Sequence, residues 1–130
     1  MAEDRPEVLA HIARTLLAIQ FHLASKPPAI ALSDKWVLGY CFGMFDAFGQ
    51  RAKLDPYREC FRLITIGFAA LMPDTPRLGT EMAYHALHCQ TVQRFADGRQ
   101  TGGDDYSTWL VDTDKPPSSL CEYLRCHPGS

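Results

Sequence analysis

Asp34-Lys35-Trp36-Val37-Leu38-Gly39-Tyr40-Cys41-Phe42-Gly43-Met44-Phe45-Asp46-Ala47-Phe48-Gly49-Gln50-Arg51-Ala52-Lys53 is the stretch that decides the architecture. At about 100° per residue, Val37, Tyr40, Cys41, Met44, Phe45 and Phe48 fall on one broad apolar stripe, the period of an α-helix. The opposite side carries Gly39, Gly43, Asp46 and Gln50, flanked by Trp36 and Phe42. Each interior glycine costs a helix about 1 kcal/mol relative to alanine. Two glycines one turn apart on an outer face therefore imply that something approaches the backbone closely. A helix of the same chain or a second chain would serve, and the sequence leaves both open. Trp36, Gly39, Phe42, Gly43, Asp46 and Gln50 are accordingly the candidate partner-binding residues.

Upstream, Arg5 to about Ser25 reads as a helix, with Pro6 in its first turn and Glu7 near the positive end of its dipole. Leu9, Ile12, Leu16, Ile19 and Leu23 repeat at spacings of three and four, which predicts the core seam of a bundle helix; Leu17 and Phe21 then lie on its back. Lys26-Pro27-Pro28 ends it, and residues 27–32 read as an extended connector. Ser33 or Asp34 is placed to cap the helix of residues 34–53.

Downstream, Asp55-Pro56 opens a helix over about 56–72, with Tyr57, Cys60, Phe61, Ile64, Phe68 and Leu71 as its core stripe. A further helix is expected over about 80–97, capped by Thr80 and terminated by Gly98. Residues 99–117, with Thr101-Gly102-Gly103-Asp104-Asp105 and Pro116-Pro117, read as an acidic loop pinned by Tyr106, Trp109, Leu110 and Val111. Thr108–Val111 is the one strand candidate. Ser119 with Glu122 forms a capping box for a short last helix ending at Cys126. The expectation is one all-α domain over residues 1–130: four main helices in a bundle plus a short C-terminal helix.

Composition narrows the function classes. The 130 residues carry a net charge of −2 with scattered arginines, which argues against a nucleic-acid partner. The longest uncharged apolar run, Leu63 to Met72, falls well short of the roughly 20 residues that span a bilayer. Met1–Pro6 lacks the basic and apolar regions of a signal peptide. A cytoplasmic protein without a membrane partner is expected. No phosphate-binding loop, dinucleotide fingerprint, serine-hydrolase elbow or zinc-protease motif occurs.

Three constellations invite chemistry. His85, His88 and Cys89 share the inward side of the helix expected over 80–97, and Cys41 and Cys60 lie on neighbouring core stripes, so these five residues are an alternative metal site. Only one end shows the short ligand spacing that zinc signatures pair, and no cofactor is expected. His85-Ala86-Leu87-His88-Cys89 loosely resembles the phosphoacceptor helix of histidine phosphotransfer domains, in which an exposed His precedes x-Leu-Lys-Gly. Here His88 replaces the lysine and Cys89 the glycine that keeps the imidazole accessible, and the family is not assigned. Asp46, amid aromatics, suggests a general acid or base, yet it shares its stripe with Lys35, Gln50 and Lys53. Asp112-Thr113-Asp114 fits no calcium loop, and Cys121, Cys126 and His127 are too few for a site of their own. His11 and His22 stand about 16 Å apart along their helix. The expected function is protein–protein binding without catalysis, in the adaptor, inhibitor, immunity or regulatory class, with a foreign protein or a second copy as partner.

Overall fold

The computed structural model describes residues 5–127, all of whose regular elements are helices. In chain order they are α1 (Arg5–Leu23), α2 (Pro28–Ala31), α3 (Lys35–Arg51), α4 (Glu59–Leu71), α5 (Pro76–His88), α6 (Gln93–Val111) and α7 (Ser119–Cys126). The expected all-α bundle with a short terminal helix is what the chain forms. None of these helices is long and apolar enough to cross a membrane.

α3 is the axis of the bundle. The carboxylate of Asp34 caps it, accepting from the Trp36 and Val37 amides at 2.8 and 3.4 Å. Every residue from Val37 to Phe45 is buried, so neighbours cover the helix on all sides. α6 lies along one face, α4 and α5 along another, and α1 along a third. The apolar surplus on the back of α3 thus reflects a central helix, and Leu38 and Phe42 are core residues.

Asp55 accepts from the Tyr57 and Arg58 amides and holds the turn before α4. Tyr57 sits in that turn, 90% exposed, and leaves the core stripe assigned to it. Of the rest of that stripe Cys60, Ile64, Phe68 and Leu71 are buried and Phe61 is half-buried, while Leu63, outside the stripe, is buried as well.

α1 is turned about its axis relative to the seam predicted for it. Pro6, Ala10, Ala13, Leu16, Leu17, Gln20 and Phe21 face inward. Of the predicted seam Leu16 is buried and Leu9 packs against the core, while Ile12, Ile19 and Leu23, with Val8, are 39–56% exposed. The small Ala10 and Ala13 let the helix approach its neighbours closely, and Gln20 is held inside by polar partners described below. Most of the longer aliphatic repeat, which dominates any periodicity count, is therefore outside.

The largest departure is α6. Residues 99–111, expected as the first part of the 99–117 loop, are helical, and so is the strand candidate Thr108–Val111. The helix expected over 80–97 is two helices, broken at residues 89–92. Thr80 lies inside α5 with its hydroxyl bonded to the Pro76 carbonyl, so it caps nothing, and Gly98 is interior to α6. Residues 28–31 form the short α2 where an extended connector was expected. Ser119 does not cap α7; its hydroxyl and amide both reach Asp105 on α6, at 2.8 and 3.3 Å.

The reason for α6 is a reciprocal glycine contact. A Cβ on Gly39 would stand 2.1 Å from the Phe95 carbonyl oxygen, and one on Gly43 2.2 Å from that of Arg99. In return, a Cβ on Gly98 would stand 2.0 Å from the Trp36 oxygen, and one on Gly102 2.2 Å from that of Tyr40. Two glycines on each helix, four residues apart, bring the backbones into contact. The glycines that weaken α6 as a helix are the ones that let it pack.

Four helices are then tied together by buried polar groups. The Gln20 amide nitrogen on α1 donates to the Tyr40 hydroxyl on α3 at 3.0 Å, and that hydroxyl donates to Asp105 on α6 at 2.5 Å. The Gln20 amide oxygen accepts from the Cys121 amide on α7 at 3.0 Å. Buried polar groups require such partners, because an unmet one costs about 1–3 kcal/mol. Burial, followed by the bond to Asp105, pushes the Tyr40 phenol far above its ordinary value; burial alone does the same to the Cys41 thiol.

Candidate functional site

The glycine face of α3 is not open. α6 occupies it, so Gly39 and Gly43 are intramolecular contacts and the question of what covers them is answered within the chain. Trp36 is likewise engaged: its ring stacks on Tyr123 of α7 at 4.1 Å and on Tyr40 at 5.5 Å. Tyr123 also shares Asp34 with Arg94, which ties α7 and α6 to the start of α3. The Tyr123 phenol is pushed up, first by partial burial and then by its bond to Asp34.

Further along α3, beyond Gly43, a cleft opens. Asp46 and Gln50 form its midline. On one side is a polar groove of about 370 Å³, bounded by Gly43 and by Gln90, Arg99, Gln100 and Asp104. On the other is an apolar groove of about 450 Å³, with Phe42, Leu54, Cys60 and Ile64 as its buried wall and Phe61 and Leu87 at its rim. Both volumes lie within the range of ordinary ligand pockets, and both contain Asp46 and Gln50. Four of the six residues singled out from sequence, Phe42, Gly43, Asp46 and Gln50, therefore line one continuous cleft, whereas Trp36 and Gly39 do not.

Asp46 is held at that junction. The Gln50 amide donates to it at 2.6 Å, and the Arg99 guanidinium pairs with the same oxygen at 3.1 Å. Arg99 also donates to the Gln90 amide oxygen at 2.5 Å and lies over the Phe42 ring, 5.1 Å from its centroid. That stacking carries Arg99 across the boundary between the polar and apolar halves. Asp46 is thus an ion-paired carboxylate with a neighbouring amide.

The five residues of the alternative metal site do not converge. His85 and Cys89 are adjacent, with the imidazole Nε2 3.7 Å from the thiol, but the same Nε2 is 3.2 Å from the Lys35 ammonium. Nε2 accepts from that lysine and is not offered to a cation. His88 is exposed at the end of α5, because the helix stops there. Cys41 is enclosed in α3, and Cys60 points to the Leu54 carbonyl. Among the described residues no three His, Cys, Asp or Glu side chains gather as a metal site requires. His85 is half-buried against Lys35 and Cys89, which is not the exposed imidazole of a phosphoacceptor helix. His11 and His22 are both exposed.

Gln90, Arg99, Gln100, Asp104 and Leu87 were not foreseen as site residues. Three of them lie on the part of α6 that reads as a loop, and without that helix nothing places them beside α3. Compared with known proteins, the chain matches no family model, no curated protein and no solved structure.

Proposed function

We propose that this protein acts by binding another protein, in the adaptor, inhibitor, immunity or regulatory class, and that the partner docks in the α3 cleft. The observation that carries the reading is the meeting of an apolar and a polar groove at Asp46 and Gln50. The apolar half suits one large aliphatic or aromatic side chain, the type of anchor that dominates interface energy. In the polar half, Arg99 and Asp46 offset each other and the Gln90 carbonyl is taken by Arg99, so the exposed Asp104 carboxylate sets its character. The chemistry that fits is a peptide segment with a bulky apolar residue close to a lysine or arginine.

Selection of peptides from a displayed random library against the immobilised protein tests this. Enriched sequences should pair an apolar anchor with a nearby basic residue. Their binding should fall at least roughly tenfold, the equivalent of about 1.4 kcal/mol, in both Leu87→Asp and Asp104→Lys. Both side chains are exposed, so the melting temperature should hold. Enriched peptides that bind both variants as tightly as the parent would sink the assignment of the cleft.

A further inference from the structure

Four aliphatic side chains of α1 that recur at helical spacing are turned to solvent. Val8, Ile12, Ile19 and Leu23 are 55, 39, 41 and 56% exposed. At 100° per residue they and Thr15 lie within a stripe about 80° wide, some 22 Å long. Scattered exposed aliphatics need no explanation, but a helical stripe of four does. The inward face of the same helix already supplies its contacts to the core, so folding of the monomer does not account for the stripe.

The spacing of the stripe identifies what fits it. Val8 and Leu23 are equidistant from a point between Thr15 and Leu16, and so are Ile12 and Ile19. A two-fold axis through that point sets Val8 against Leu23 of a second copy and Ile12 against its Ile19. This is the condition for an isologous interface, in which one patch meets itself. Between Val8 and Leu23 no charged side chain lies within the stripe; Arg5 continues its line one turn before Val8, and His11 and His22 stand along its edge. Nothing ionic opposes a like copy near the axis, and antiparallel helices also align their dipoles favourably. A foreign helix would not require this symmetry.

We infer that the outer face of α1 is a self-association surface on which a second copy of the chain packs antiparallel, centred between Thr15 and Leu16. A standard stable interface removes about 800 Å² from each partner. One helix stripe supplies less, so the dimer is weak and reversible, with a dissociation constant in the micromolar range or above. The surface is separate from the α3 cleft and does not depend on the function proposed for it.

Sedimentation equilibrium of the full chain, with Cys126→Ser to remove the exposed thiol, tests the inference. From roughly 5 to 500 µM the weight-average mass should rise toward twice that of the monomer. Ile19→Asp should hold it at the monomer value with an unchanged circular dichroism melt, and Ile19→Asn checks that the effect is lost apolarity rather than added charge. Orientation is read by oxidising single-cysteine variants. Thr15→Cys should form a disulfide dimer, since its two copies lie about 1.5 Å apart along the axis. Val8→Cys, with copies about 22 Å apart, should crosslink only when mixed with Leu23→Cys. A monomeric mass throughout the range overturns the inference. So does efficient Val8→Cys homodimer formation, which marks a parallel pair. Leu87→Asp should leave the mass curve unchanged, so the cleft and the α1 surface fail or stand separately.

Discussion

Gly102 and Gly103 are neighbours in one helix, and the tertiary structure gives them opposite roles. A Cβ on Gly102 meets the Tyr40 carbonyl oxygen at 2.2 Å, whereas one on Gly103 meets nothing within 4 Å. Gly102→Ala should force α6 away from α3 and destabilise the protein by about 1–3 kcal/mol, or more if the bundle cannot relax. Gly103→Ala should stabilise it by up to about 1 kcal/mol through helix propensity. Urea denaturation of the two variants reads the sign directly; equal signs would contradict the close approach. The same local accounting applies to Tyr40. Tyr40→Phe removes the hydroxyl that joins Gln20 to Asp105, leaving a buried amide short of one partner. A loss of about 1–3 kcal/mol is expected from the same denaturation measurement. None of this is visible in the residue string, where Gly102-Gly103 is simply a flexible pair and Gln20 an ordinary surface residue.

At the scale of elements, α3 and α6 show why one helix is legible and the other is not. α3 has a capping aspartate, a strong apolar stripe and a clear end, so local signals and packing agree. α6 reads Gln93-Arg94-Phe95-Ala96-Asp97-Gly98-Arg99-Gln100-Thr101-Gly102-Gly103-Asp104-Asp105-Tyr106, polar and rich in glycine. Its three glycines cost about 3 kcal/mol of helix propensity, and short helices are marginal in water even with good residues. A synthetic peptide of residues 93–111 should therefore show a coil spectrum by circular dichroism at 25 °C, although the segment is fully helical in the protein. Substantial helicity in the free peptide would mean that α3 does not create α6. The contrast with α1 is instructive in another way. There the helix is legible, but its orientation is not, because two apolar faces compete and the core selects the one bearing Ala10, Ala13 and Gln20.

For the whole molecule, burial of ionisable groups sets the alkaline limit. Tyr40 and Cys41 are both held neutral in the folded state, principally by desolvation, and both titrate at ordinary values once unfolded. A group whose pKa is raised on folding contributes stability below its unfolded pKa and loses it as pH rises, because only the unfolded chain then releases the proton. The loss should begin near pH 9 from Cys41 and steepen above pH 10 as Tyr40 joins it. Each group adds a slope of up to about 1.4 kcal/mol per pH unit. Urea midpoints measured between pH 8 and 11 should fall accordingly, and Cys41→Ala should weaken the earlier onset, leaving the smaller part that comes from the Cys60 thiol, which burial also pushes up. A flat profile in the parent protein would show that these groups reach water in the folded state.

The sequence by itself determined that this chain is helical, where α1, α3, α4 and α7 lie, and that the glycine face of α3 must be closely covered. Those properties follow from periodicity, caps and punctuation, which act within a few residues of one another. It also placed Phe42, Asp46 and Gln50 together on one side of α3, because three- and four-residue spacings fix neighbours on a helix. Only the tertiary structure decided what covers Gly39 and Gly43, which face of α1 is inside, and that Arg99 and Gln90 meet Asp46. Each of these depends on contacts between residues far apart in the chain. The glycine pairs of α3 and α6 lie some sixty residues apart, and neither pair shows its purpose until the other is laid against it.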